Sequence, residues 1–461
     1  MTRAQWLVLG AILLVAAILR LEGIGAHLSD AEGYSYLVGS APNPATFLRR
    51  LAAYENTPPL FYLLLTPLPL GHAAWLRVPA AVPGALIPLA LFAALRHELG
   101  IRASLLAAAM VAVAPFAVSY SDYSRGFMLE ALACICALWA MLRLAEGASA
   151  RWWWLYLASG VIAVYSEYLA VIVLVAMTVA AVTYGRRDRL RTAALGLLPL
   201  ASLVPWAGQI ERGQDALNHT KSAPVFPGPS LDSLRDVAVR LVVGEHGAGS
   251  PAVLRWLELI VLLAALAALA AAVLRRSAAA DPGSPVTRAT LLIGATGALV
   301  LGASALAPLF GTEIFNERYL TILIPLGAAL IAAGVRAVNA RRLWTVAVIV
   351  LAGVGAGVFV QRYGRQPDLA PVRRVVASVG PRTVLTNSAV VAYYLRGLHV
   401  VVDRPFGLGP GLERSCASPC VIVDDSRVSG GVRAGPGPSR TIGPFTIRLS
   451  LDRTARAKLA R

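Results

Sequence analysis

About eleven apolar runs, each long enough to cross a bilayer, occupy the first 360 residues of the 461-residue chain. The runs lie near residues 5–21, 76–95, 104–119, 127–143, 152–166, 168–184, 192–208, 253–274, 289–309, 318–335 and 343–360. A hydrocarbon core roughly 30 Å thick needs about 20 apolar helical residues per crossing. In lipid every backbone polar group must be satisfied within the protein, so each run is predicted to be a helix. Composition agrees: 57% of residues are hydrophobic, 15% are charged, and mean hydropathy is +0.65. Typical soluble domains are about 25% charged. A disordered chain is excluded on these grounds, and an ordinary cytosolic enzyme is disfavoured.

Charge placement sets the topology. The formal net charge is +17, from 42 basic and 25 acidic residues. Only Lys221 and Lys458 are lysine, so the other 40 basic residues are arginine. Arginines cluster at Arg96/Arg102, Arg143/Arg151, Arg186/Arg187/Arg189/Arg191, Arg275/Arg276/Arg288 and Arg336/Arg341/Arg342. These clusters fall on every second loop, and the positive-inside rule places them in the cytoplasm. Much of the basic excess therefore reports topology, which removes most of the case for a nucleic-acid partner. Parity then allows one net crossing in 58–95. The short run 58–70 contains Pro58, Pro59, Pro67 and Pro69, and is read as an interfacial or re-entrant helix.

The expected fold class is an all-α polytopic membrane protein of about eleven transmembrane helices. A small α/β domain outside the membrane follows. The expected division is a transmembrane module over 1–361, with external loops 22–75 and 209–252, and an α/β domain over 362–461. Beyond residue 362 glycine, proline and charge rise, and short β-rich runs appear, among them Thr383–Leu385 and Val421–Val423. Cys416 and Cys420 in that domain are spaced for a local disulfide if it faces an oxidising compartment. Cys134 and Cys136 lie in an apolar run and read as buried thiols. No nucleotide-phosphate loop, dinucleotide fingerprint, HExxH or GxSxG motif occurs.

The loops opposite the arginine clusters hold the chemistry. The first external loop contains His27-Leu28-Ser29-Asp30-Ala31-Glu32-Gly33-Tyr34. Carboxylates at a bilayer interface are costly unless they pair or serve a purpose. Such an acid could act as general base on an acceptor hydroxyl, or hold a divalent cation. Further along come Glu55-Asn56-Thr57-Pro58-Pro59-Leu60-Phe61-Tyr62, then Tyr120-Ser121-Asp122-Tyr123-Ser124-Arg125-Gly126, then Tyr165-Ser166-Glu167-Tyr168. Glu317-Arg318-Tyr319 opens a later apolar helix, and the loop over 209–252 contains Glu245 and His246. Arginines such as Arg125 and Arg318 could clamp a phosphate, or simply pair with a neighbouring acid.

In this order the motifs resemble polytopic glycosyltransferases of the GT-C fold. The likeness is to the bacterial family 39 and dolichyl-phosphate-mannose protein mannosyltransferase-like group, to which lipid A aminoarabinose transferase is related. The family's first-loop Asp-Glu appears as Asp30-Ala31-Glu32, and its Pro-Pro-Leu-Tyr-Tyr segment as Pro58-Pro59-Leu60-Phe61-Tyr62. Its Tyr-Ser-x-x-x-Arg stretch appears as Tyr120–Arg125, its Thr-His-Tyr turn as Ser166-Glu167-Tyr168, and its late Arg-Tyr as Arg318-Tyr319.

The resemblance implies a transferase using a polyprenyl-phosphate sugar, of mannose or arabinose type, on the outer face of a bacterial plasma membrane. The acceptor would be a lipid, glycan or protein. The implied catalytic residues are Asp30, Glu32 and Asp122, with either first-loop acid as base. Arg125, Arg318, Tyr319 and His246 would bind the donor, and Glu55, Tyr62 and Glu167 the acceptor. No cofactor is implied, and a divalent cation on the first-loop acids is left open. Two departures stand out: Ala31 splits the Asp-Glu pair, and Glu167 replaces a histidine. A transporter of lipid-linked glycans, or an inactive scaffold of the same fold, is the alternative.

Overall fold

The structure is a computed structural model. It describes residues 1–25, 28–55, 57–185, 188–211, 284–307, 320–338, 370–378, 383–386, 388–395, 400–402, 420–425, 439–442 and 445–450. The runs at 253–274 and 343–360 lie outside the described residues, as do Arg318, Tyr319, His246 and Cys416.

The described chain is mostly helical. Helix α1 (Arg3–Leu21) is followed by three shorter helices, α2 (Asp30–Gly39), α3 (Pro44–Tyr54) and α4 (Leu60–Leu65). Then come α5 (Ala73–Leu95), α6 (Gly100–Val113), α7 (Pro115–Ser121), α8 (Phe127–Ala145), α9 (Trp152–Ser166), α10 (Ala170–Tyr184) and α11 (Arg189–Ala201). The remaining described helices are α12 (Pro285–Leu306), α13 (Leu323–Val338), α14 (Ala370–Ser378) and α15 (Ala389–Tyr394). Among the described residues five helical stretches, Arg3–Leu21, Ala73–Leu95, Phe127–Ala145, Arg189–Glu211 and Val286–Leu306, are each long and apolar enough to cross a bilayer.

Helices α5, α6, α8, α9, α10, α12 and α13 share one core, centred on buried residues such as Leu91, Leu138, Leu174 and Leu326. Outward faces carry large exposed apolar side chains, among them Leu7, Leu14, Val82 and Val179. That pattern inverts a water-soluble bundle and suits a lipid solvent.

The run 104–119 is not one straight span. Helices α6 and α7 meet at a bend of 57°. The cause is Pro115, which has no N–H to donate and collides with the preceding turn. Carbonyls freed at the break need donors, since lipid offers none. Arg20, at the end of α1, supplies them: its guanidinium donates to Val111 O (3.2 Å) and Ala112 O (2.9 Å). It also donates to Ser121 Oγ at 3.1 Å and to Ala16 O in its own helix. Gly84 of α5 makes room, because a Cβ there would lie 2.1 Å from Ser121 Oγ.

At the opposite end of the bundle, loops that the sequence assigns to one face come together. Arg143 pairs with Glu98 (3.6 Å), Arg288 pairs with Glu146 (3.4 Å), and Arg336 donates to Glu98 O. Glu98 is buried, and desolvation raises its carboxyl above the usual range against the pull of Arg143.

A five-stranded sheet lies near the C-terminus: β1 (Thr383–Thr386), β2 (Val400–Val402), β3 (Cys420–Asp425), β4 (Ser439–Ile442) and β5 (Phe445–Ser450). Its order is β2-β1-β3-β5-β4. The β1 strand is parallel to β2 and β3, while β5 runs antiparallel to β3 and β4. Val384, Val421 and Ile447 of the sheet join a core that also includes Leu28, Leu51, Tyr62 and Leu65. One apolar cluster thus connects the sheet to the helices that carry the acidic motif.

Candidate active site

The motifs of α2, α4, the α7–α8 loop and the α9–α10 turn converge. Glu32, one turn into α2, is 1% exposed and accepts from five donors. Its Oε1 receives Arg77 Nε (2.7 Å) and the Ser124 backbone N–H (3.2 Å). Its Oε2 receives Arg77 Nη2 (2.9 Å), the Ser29 backbone N–H (2.9 Å) and Ser29 Oγ (3.0 Å). The Ser29 contact is the returning half of a capping box, local in origin. The bidentate contact to Arg77 is long-range and fixes the carboxylate plane. Arg77 also donates to Gly23 O and Ile24 O, which stitches the end of α1 to α5. Both carboxylate oxygens of Glu32 are thereby engaged. Asp30 opens α2.

Arg125 joins three motifs. It forms an ion pair with Glu55, donates from Nη1 to Tyr62 Oη (2.6 Å), and donates from Nη2 to Ala31 O (3.1 Å). Tyr62 Oη also shares a hydrogen bond of 2.9 Å with Thr57 Oγ1. Burial pushes the Tyr62 phenol above its ordinary value, against the lowering pull of Arg125. Tyr62 therefore stays a neutral hydroxyl that can both donate and accept. Pro58 and Pro59 explain why these groups meet: they stiffen the entry to α4 and present Tyr62 back toward Thr57.

Ser35 Oγ donates to Ser124 O (2.7 Å), and Ser124 Oγ donates to Leu76 O (2.7 Å). The α7–α8 loop is thus clamped between α2 and α5. Gly126 permits a second close approach: a Cβ there would lie 2.3 Å from Ser166 O. The α9–α10 turn can then bring Glu167, itself 5% exposed, alongside the cluster. Glu167 Oε1 accepts from its neighbour's backbone, Tyr168 N–H, at 3.2 Å. Glu167 also reaches Glu130 electrostatically. Glu130 sits in the first turn of α8, is 1% exposed, and has no hydrogen-bond partner for either oxygen among the described residues. Asp122 follows α7 and feels the Arg77 charge.

Of the sequence candidates, the structure brings together Glu32, Glu55, Tyr62, Asp122, Arg125 and Glu167. Arg318, Tyr319 and His246 fall outside the described residues, and Cys420 begins β3. Sequence reasoning did not single out Arg20, Arg77 and Glu130, which lie within apolar runs and are all buried. Their signal was a charge embedded in an apolar stretch, a marker of pairing or function. Cys134 is a buried free thiol, as its apolar surroundings suggested, whereas Cys136 is free but only partly buried. Among the described residues no group of three or more metal-ligating side chains gathers.

Residues 57–208 match the family model described as dolichyl-phosphate-mannose-protein mannosyltransferase. Among solved structures, the chain is similar to ArnT from Cupriavidus metallidurans bound to undecaprenyl phosphate, at 14% identity and TM-score 0.59. That match covers 98% of this chain and 99% of ArnT. The apo state of the same protein matches at 15% identity and TM-score 0.60, covering 96% and 97%. The archaeal oligosaccharyltransferase AglB from Archaeoglobus fulgidus, in complex with an inhibitory peptide and a dolichol-phosphate, matches at 12% identity and TM-score 0.57. It covers 92% of this chain and 70% of AglB. No curated protein matches. The chain has the GT-C fold of these membrane glycosyltransferases.

Proposed function

We propose, taking the GT-C fold as premise, that the chain transfers a sugar from a polyprenyl-phosphate donor to an acceptor hydroxyl of the cell envelope, on the outer face of a bacterial plasma membrane. The observation that carries this reading is Arg125, a part-buried guanidinium that binds Glu55, Tyr62 and the Ala31 carbonyl at once. A lipid monophosphate needs cations at the membrane surface and no nucleotide site. Arg318, Tyr319 and His246 would neutralise the donor phosphate, and Arg125 would join them by exchanging its pairing with Glu55 for the phosphate. The acceptor oxygen attacks the anomeric carbon, the bond to the phosphate oxygen breaks, and polyprenyl phosphate leaves with the electron pair.

The acceptor proton passes to a base. Five donors already occupy Glu32, so we assign the base to Asp30 and give Glu32 a positioning role. Asp122 would orient the base or the acceptor. Glu55, Tyr62 and Glu167 would line the acceptor side. The sugar is of mannose or arabinose type, and a divalent cation, if one is used, would be held through Asp30, since Glu32 is already occupied. The transport alternative draws no support from the buried arginines of the spans, since Arg20 and Arg77 are consumed by internal hydrogen bonds.

The test is purified protein in lipid nanodiscs with labelled polyprenyl-phosphate-mannose or -arabinose and a crude envelope acceptor. Transfer by wild type, reduced by roughly 10²–10⁴ in Asp30→Asn, is expected. Unchanged transfer in that variant removes Asp30 as base. Movement of a lipid-linked glycan across vesicles without any transfer product would favour the transporter instead.

A further inference from the structure

We infer that the short C-terminal helix α15 is a structural part of the active site: it clamps the acidic motif of α2 from the side opposite Arg125 and Ser124. This inference rests on the reading above, in which the first-loop acids carry the chemistry.

Three contacts converge on the motif. Tyr394 Oη accepts a hydrogen bond from the Leu28 backbone N–H at 3.1 Å, two residues before Asp30. Gly33, the residue after Glu32, lies backbone to backbone against α15: a Cβ there would stand 2.3 Å from both Ala389 C and Val390 N. Tyr393 packs edge-on against Tyr36, with ring centroids 5.2 Å apart, and donates to Gly71 O at 3.3 Å.

Space explains the glycine. An alanine in a helix interior is ordinarily favoured over glycine by about 1 kcal/mol. Here the missing Cβ is what lets the two helices touch. Ala389 is small for the same reason, and it is fully buried. The segment is therefore shaped to its partner. Residues 28–36 are gripped on one side by Arg77, Arg125 and Ser124, and on the other by Gly33–Ala389 and Leu28–Tyr394. A base that must take the acceptor's proton as its oxygen attacks needs such two-sided support. Tyr394 and Ala389 are positioning residues.

The experiment compares full-length wild type with Tyr394→Phe, which removes one oxygen, and Ala389→Leu, which wedges the helices apart. Two readouts are taken in nanodiscs: backbone hydrogen exchange over residues 28–36, and steady-state transfer kinetics. Tyr394→Phe should speed exchange there roughly threefold to tenfold, the equivalent of one lost hydrogen bond, with exchange in α8 and α10 unchanged. It should lower kcat by a similar factor while leaving the KM for the lipid donor within about twofold. Ala389→Leu should do more of both. Unchanged exchange over 28–36 overturns the clamp. Faster exchange spread over the whole chain, or faster local exchange with unaltered kcat, overturns the positioning role. If wild type transfers no sugar, the functional reading fails while the exchange data still judge the clamp.

Discussion

Glu32→Gln separates a structural carboxylate from a catalytic one. The substitution keeps shape and removes charge. In the native site Glu32 and Arg77 are 1% and 2% exposed, and their two contacts measure 2.7 and 2.9 Å. Breaking a buried pair by neutralising one partner leaves the other charge without compensation and costs about 3–5 kcal/mol. That is a large share of the roughly 5–15 kcal/mol by which a typical protein is stable. The assay is thermal unfolding in nanodiscs beside transfer kinetics, with Glu32→Met, Arg77→Met and the double variant Glu32→Met/Arg77→Met forming a cycle. If the pair is structural, each single change lowers the melting temperature sharply. The double change then recovers much of the loss, since paired apolar residues can replace a buried ion pair at little cost. Transfer by the folded fraction of Glu32→Gln should fall by about tenfold or less, and the acid limb of its pH–rate profile should persist. A fall of 10³-fold or more, with loss of that limb in a protein that melts normally, would show that Glu32 is the base and refute the assignment.

Arg20→Leu should destabilise the chain by about 2–5 kcal/mol, because it orphans the carbonyls of Val111 and Ala112 at the broken span; a melting temperature equal to wild type would show that the break needs no external donor. Glu98 has its carboxyl raised by burial. A raised acid binds its proton more tightly folded than unfolded, so stability should fall as pH rises from the ordinary carboxylate range through the raised value. Glu98→Gln should flatten that slope, and an unaltered slope measured by melting across pH would count against it.

The sequence made the helices legible because each span must be apolar along its whole length, a signal that no tertiary contact is needed to read. It also located the motifs: Asp30-Ala31-Glu32, Glu55, Tyr62, Arg125 and Glu167 were all marked by sitting in loops opposite the arginine clusters. Their roles were another matter. Glu32 looked equivalent to Asp30 until Arg77 and Ser124, 45 and 92 residues away, were found occupying its oxygens. Nothing local in the sequence links Glu55 to Arg125, yet the two pair. The bend in 104–119 was foreshadowed by Pro115. Its stabilising partner was not, because no local pattern links Arg20 to a carbonyl made 92 residues later.

That last distance has a consequence for how the chain is made. Arg20 is synthesised first and waits for the backbone it will serve. At about 5–20 residues per second the wait is roughly 5–20 s. Throughout it a guanidinium at the end of the first helix must stay near water or borrow other acceptors, since it cannot enter lipid bare. The first helix can therefore settle to its final depth only after α6 and α7 arrive, and the docking of those three elements is one event. A change that delays their arrival, such as a long insertion in the loops before α6, should trap the chain with its first helix unseated even though each helix could form alone.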